Sequence, residues 1–153
     1  TVPLSPEDFM ADFSDSRFGR FLLYLLVWHN KAKDWDSHGY QLGFEGAQIL
    51  SDFQPQWHHI FPKKFLGDKD EVEINALANI AVIGPTINIR ISAKNPMEYL
   101  HKYNITAEKL KQQFIVDNLG TIAIEKYPDF LKERSCVLAS EANWYLGALR
   151  NGI

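Results

Sequence analysis

Cysteine is almost missing from this 153-residue chain: the single Cys136 excludes an internal disulfide and any cysteine-based zinc knuckle. Without disulfides, a reducing, cytoplasmic compartment is the expectation. Long apolar runs are missing too. The longest is FLLYLLVW, residues 21–28, far short of the roughly twenty residues that cross a bilayer, so it reads as a buried helix and no membrane partner is expected. The opening TVPLSPEDFM lacks the basic and apolar regions of a secretory signal. It also lacks an initiator Met, as expected of a domain cut from a longer protein. No glycine-rich phosphate loop occurs, which excludes a Walker-type nucleotide site in these residues. The net charge of −3 is not that of a protein that coats nucleic acid.

What is present suffices for a packed core. Hydrophobic residues make up 46% of the chain, with 10 Phe, 6 Tyr and 4 Trp, which excludes disorder. The length suits one domain over residues 1–153. Ser5-Pro6-Glu7-Asp8 reads as a helix start. A second helix is expected from about Ser16 to Lys33, with Phe18, Leu22, Leu25 and Leu26 at helical spacing. Phe21, Leu23 and Val27 widen that stripe almost all round, placing this helix at the centre of the core. The glycine-containing stretch from Asp34 to Pro55 reads as loop with a short helix near 47–53.

WHHIFP, residues 57–62, reads as a short strand ended by proline, and IAVI, residues 80–83, as a second, closed by Gly84-Pro85. A helical turn over 63–66 and an acidic loop join them. Asn95-Pro96-Met97-Glu98 is a helix start with a capping box, and Thr106 caps a further helix through Phe114. A long helix follows Pro128, with Phe130, Leu131, Val137, Leu138, Tyr145 and Leu149 on one face and Cys136 as a small core residue. The expected class is α+β, mostly α: helical parts at 5–53 and 96–150 around a small two-stranded insertion.

The insertion concentrates polar residues: His58, His59, Asn79 and Asn88. Neighbours on a strand point to opposite faces, so the two histidines have different jobs. Folding the second strand back on the first brings Asn88 near them. His29, His38 and His101 read as structural or solvated, His29 bonding a backbone carbonyl at the end of its helix. Trp35 and Trp57 read as core or core rim.

WHHIFPKKFL, NALANIAVI and NIRISAKNPMEYL together resemble the HNH, or ββα-metal, nuclease motif. The likeness is to the C-terminal domains of GmrSD-type modification-dependent restriction and phage-defence proteins, and it spans residues 57 to about 100. The resemblance implies a helical domain carrying a ββα-metal motif. It implies His59 as general base, His58 and Asn88 as metal ligands, and Asn79 as the residue that holds the metal loop. Arg90 and Lys94 are the implied phosphate contacts, and Lys63 and Lys64 are further candidates for the same role.

That chemistry is coherent. Phosphodiester hydrolysis needs a deprotonated water in line with the leaving oxygen, and a neutral imidazole can take the proton near pH 7. A divalent cation neutralises charge on the phosphate and disfavours protonation of a nearby base. Many HNH sites carry Asp where this chain has His58. An Asp–Asn pair suits Mg²⁺, whereas His–Asn moves the preference toward Mn²⁺, Co²⁺, Ni²⁺ or Zn²⁺. Mg²⁺ or Mn²⁺ is expected. Residues 57–102 hold six basic and five acidic side chains, against 10 and 14 elsewhere. The segment is therefore less acidic than the rest without being a basic patch, and it should bind weakly and salt-sensitively. The implied activity is nicking of double-stranded DNA, with target choice left to an N-terminal nucleotide-hydrolysing domain. The rivals are a binding module on the same fold and a nuclease acting on RNA.

Overall fold

The computed structural model describes residues 2–42, 55–115, 119–121 and 123–152. Among these, helix α1 spans Arg17–His29, followed by strand β1 (Gln56–His59) and the short helices α2 (Lys63–Leu66) and α3 (Glu71–Ile74). Strand β2 (Ile80–Ile83), helices α4 (Pro85–Ile91), α5 (Pro96–Lys102) and α6 (Ala107–Gln112), and the long α7 (Tyr127–Arg150) complete the α and β elements, and the helix start expected at Ser5 opens a short 3-10 turn, Pro6–Phe9. The class is α+β, mostly α. The helix expected near 47–53 lies outside the described residues. No described helix is long and apolar enough to cross a membrane.

The caps fall where the side-chain chemistry puts them. Ser16 accepts a hydrogen bond from the Gly19 N–H, Asn95 and Glu98 form a reciprocal capping box at α5, and Thr106 accepts from the Lys109 N–H at α6. The acidic connection holds more structure than expected, because Asp70 caps α3 by accepting from the Val72 N–H.

β1 and β2 pair antiparallel, with His58 opposite Ala81 and His59 opposite Ile80. All four β2 residues are buried, and strand alternation sends them into two apolar clusters. Ala81 and Ile83 pack with Trp35, Ile60, Phe61, Ile87, Tyr99 and Phe130. Ile80 and Val82 pack with Leu22, Leu23, Leu26, Leu138 and Tyr145. The sheet is thus the partition between two halves of the core, and each histidine of β1 belongs to a different half.

Three expectations about helix faces are corrected. Only one side of α1 is covered, through Leu22, Leu23, Leu26 and Val27. Phe18 and Phe21 are each 60% exposed, and the helix ends at His29. On the covered side α1 approaches closely enough that a Cβ on Gly19 would strike Leu77 Cδ1. On α7 the buried stripe runs Tyr127, Leu131, Arg134, Leu138, Ala142, Tyr145. Val137 falls off it and is exposed, and Leu149 lies at the exposed end. Cys136 also falls off the stripe and is exposed, not a core residue.

Arg134 is the one charged member of that stripe and is 2% exposed. Its guanidinium donates to the carbonyls of Ala78 (2.8 Å), Ile80 (2.7 Å) and Gln113 (3.0 Å), with a longer contact to Leu77. Burial pushes its pKa down to about 9. The charge is met by carbonyl dipoles, so α7 is pinned to the turn that delivers Asn79 and β2.

Candidate active site

His58, His59 and Asn88 meet at one cleft of about 260 Å³, lined also by Trp57, Pro62, Lys63, Lys64, Ser92 and Ala93. The β1–β2 hairpin supplies the histidines and α4, launched directly from β2 by Gly84-Pro85, supplies Asn88. Buried Asp34 anchors this junction: its Oδ1 accepts from the Gly84 N–H at 2.9 Å and the Trp35 N–H at 2.8 Å. Burial raises the Asp34 pKa.

His58 is buried between the rings of Trp35 and Tyr99, each edge-on to it, with centroids 5.7 and 5.5 Å away. Desolvation lowers its pKa to about 4, so the ring is neutral at physiological pH. Its Nδ1 lies 3.1 Å from Asn88 Oδ1. That is hydrogen-bond distance, with Nδ1–H donating to the amide oxygen, and the same spacing would suit two adjacent ligands of a small octahedral cation once the proton has moved to Nε2. A neutral ring that offers Nδ1 to a metal carries its proton on Nε2, and that nitrogen is buried without a hydrogen-bond partner. Among the described residues no group of three or more His, Cys, Asp or Glu is placed to hold a metal ion together. Two uncharged protein donors would therefore leave most of the coordination sphere to water and phosphate oxygens, as is usual for Mg²⁺.

His59 occupies the other face of the strand. Its Nε2 lies 2.9 Å from Asn75 Oδ1, and the ring stands edge-on to Phe13 with centroids 5.5 Å apart. Asn75 Nδ2 in turn donates to Asp12 Oδ2 at 3.4 Å. Neither Asn75 nor Asp12 was among the residues expected from the sequence. The contact joins positions 16 and 63 residues apart, and no local motif announces it.

Asn79 is fully buried and uses both ends of its amide. Oδ1 accepts from the Phe61 N–H at 3.0 Å, while Nδ2 donates to the carbonyls of Phe61 (3.0 Å) and Ile74 (2.9 Å). The Ile60 N–H also donates to the Asn79 carbonyl. These bonds explain why β1 stops at His59 instead of running on to Pro62: the chain leaves the ladder to wrap around Asn79. Tyr99 closes the same bend by donating to the Ile60 carbonyl at 2.8 Å. Burial raises the Tyr99 pKa, so the hydroxyl stays a donor.

Of the four bases named as phosphate contacts, Lys63 and Lys64 line the cleft, and Lys63 also pairs with Glu71 at 3.1 Å across exposed surface. Arg90 and Lys94 do not line it. Arg90 is exposed on α4, and Lys94 Nζ donates to the Arg90 carbonyl. Away from the cleft, His29 rests its ring on Trp144 and Tyr145, and among the described residues it bonds no carbonyl. Trp35 is core, and Trp57 is half-buried at the rim.

Compared with protein-family models, curated proteins and solved structures, the chain gives no significant match in any of the three. The functional reading therefore rests on the residues of the cleft.

Proposed function

We propose that this chain is a metal-dependent HNH endonuclease domain that nicks double-stranded DNA. The observation that carries the proposal is the meeting of two histidines with separate environments and an amide oxygen in one solvent-open cleft. His58, kept neutral by burial, and Asn88 offer a donor pair at a ligand-to-ligand distance. His59, half-buried and outside the aromatic box, is the base that takes a proton from the attacking water. A divalent cation, Mg²⁺ or Mn²⁺, would supply charge neutralisation on the phosphate and stabilise the leaving 3′ oxygen. Asn79 holds the bend that sets the histidines' direction and takes no part in proton transfer. Lys63 and Lys64 draw the backbone phosphates to the rim. A single site cuts one strand, so nicking is the basic activity.

We infer the setting its motif resembles: a cytoplasmic restriction or phage-defence effector whose target would be selected by an N-terminal nucleotide-hydrolysing domain. End-labelled duplex DNA and RNA, incubated with the protein in Mg²⁺ or Mn²⁺, test the proposal. It predicts DNA scission that leaves 5′-phosphate and 3′-hydroxyl ends and stops on addition of EDTA. Retardation of DNA without scission in any cation would favour a binding module instead, and scission of RNA alone would change the substrate.

A further inference from the structure

Asp12, Asn75 and His59 form a chain of hydrogen bonds whose direction is fixed by chemistry at one end. An ionised carboxylate only accepts. Asp12 is kept ionised: hydrogen bonds from Ser14, whose N–H and Oγ lie 2.8 and 2.6 Å from Oδ1, hold its pKa below the usual carboxylate range. The amide of Asn75 must then turn its NH₂ toward Asp12 and its oxygen toward His59. With an oxygen 2.9 Å away, His59 Nε2 must donate, so a neutral ring carries its proton on Nε2 and leaves the Nδ1 lone pair bare.

The two residues are built into the fold and not loosely apposed. The segment around Asp12 pairs with the segment around Asn75: the Phe13 N–H donates to the Asn75 carbonyl at 2.8 Å, and the Leu77 N–H to the Ala11 carbonyl at 3.0 Å. Arg20 of α1 clamps the same segment through the carbonyls of Phe13 and Ser14. The Phe13 ring, carried by this segment, stands against the His59 imidazole. Among the described residues, His59 hydrogen-bonds through Nε2 and not Nδ1, and the ring lines the cleft shared with Asn88.

We propose that Asn75, oriented by Asp12, is the positioning residue for His59, selecting the tautomer in which Nδ1 is the nitrogen that accepts the proton of the attacking water. This role rests on the nuclease reading above. Asn75 does not touch substrate in it. The amide sets the direction of the ring and the location of its proton, which is the part a buried carboxylate takes in a Ser–His–Asp triad. Here an uncharged group does it, so the imidazole is oriented without a negative charge in direct contact.

Nitrogen-15 NMR of histidine-labelled protein at about pH 8, above the ordinary imidazole range, reads the tautomer directly. The expected result is His59 with hydrogen on Nε2 in the wild type and a mixture of tautomers in Asn75→Ala. Nicking by Asn75→Ala should fall on the order of 10- to 100-fold in kcat, with KM for DNA nearly unchanged. Asp12→Asn frees the amide to turn, so it should lose part of the tautomer bias and about tenfold in kcat. The exchange variant Asp12→Asn with Asn75→Asp keeps an acceptor facing His59 and a donor at position 12, and should recover most of both losses. Thermal melts of each variant identify any that fail to fold, and the wild-type tautomer needs no variant at all. A wild-type ring with hydrogen on Nδ1, in a protein that nicks, overturns the positioning role alone. An Asn75→Ala protein with unchanged tautomer and kcat does the same. A wild type that cuts nothing in any cation overturns the nuclease reading and this role with it.

Discussion

Asn79 and Phe61 are locked to each other by a closed pair of hydrogen bonds: the Phe61 N–H donates to Asn79 Oδ1 and Asn79 Nδ2 donates to the Phe61 carbonyl, both at 3.0 Å. A side chain here imitates a neighbouring strand. It satisfies both backbone groups of the residue at which β1 leaves the sheet, and the third bond to Ile74 ties the same amide to the end of α3. The direction in which His59 leaves its strand is therefore set by a residue 20 positions away.

Asn79→Ala removes three buried hydrogen bonds at once and strands the groups that made them. At roughly 1 kcal/mol or more for each buried polar group left unpaired, a loss of about 3 kcal/mol is expected. Urea unfolding measures it. Because the bend carries the histidines, nicking should fall further than the lost stability alone explains. Asn79→Asp should be no better, since it keeps the acceptor for Phe61 but loses both donors and buries a charge.

His58 makes the metal-free protein acid-sensitive in a defined window. Its folded pKa of about 4 lies below the ordinary 6.5 because burial disfavours the charged ring. The unfolded chain takes up a proton between these values and the folded protein excludes it. This contribution is complete above about pH 6.5 and is lost as the pH falls toward 4, a change on the order of 3 kcal/mol. His58→Met removes the titrating group. Denaturant titrations from pH 7 to pH 4 should show the wild type losing about that much more stability than the variant; parallel curves would contradict the assignment.

Arg134 reaches the carbonyls of Ala78, Ile80 and Gln113, a task that neither a shorter nor an apolar side chain can perform. Arg134→Met fills much of the same volume but leaves those oxygens buried and unpaired, at a cost of about 3 kcal/mol or more. Arg134→Lys keeps a charge with a single head group and should recover only part of the loss. Thermal or urea melts distinguish the three proteins.

Much of the framework was legible because its determinants are local. The caps at Ser16, Asn95 and Thr106 need only side chains three residues from the N–H groups they accept from. The β2 strand, IAVI, stands between a buried Asn79 and Gly84-Pro85 and is found with those bounds. What could not be read is what other segments cover. Phe18 and Phe21 look as apolar as Leu22 and Leu23, but only the latter pair meets β2 and α7. Cys136 and Val137 adjoin the buried stripe of α7 without belonging to it.

The candidate site was legible in the same uneven way. His58, His59 and Asn88 sit within a short stretch whose chain reversal brings them together. Asn75 reaches His59 from a turn, and Asp12 reaches Asn75 from the segment before α1, across separations that no spacing rule covers. Arg134 did carry a signal: it occupies a position of the 127, 131, 134, 138, 142, 145 stripe where every neighbour is apolar. A charged residue there must find carbonyls or a counter-charge inside.

His59 is proposed to remove a proton from water beside a cation that His58 and Asn88 would hold. Nicking of supercoiled plasmid tests it most directly, with wild type, His59→Ala and His58→Ala compared in EDTA, Mg²⁺, Mn²⁺, Co²⁺, Ni²⁺ and Zn²⁺. Cation-dependent open circles are expected from the wild type, none from His59→Ala, and activity from His58→Ala that returns in part at high cation concentration. Equal, cation-insensitive nicking by all three proteins would contradict it.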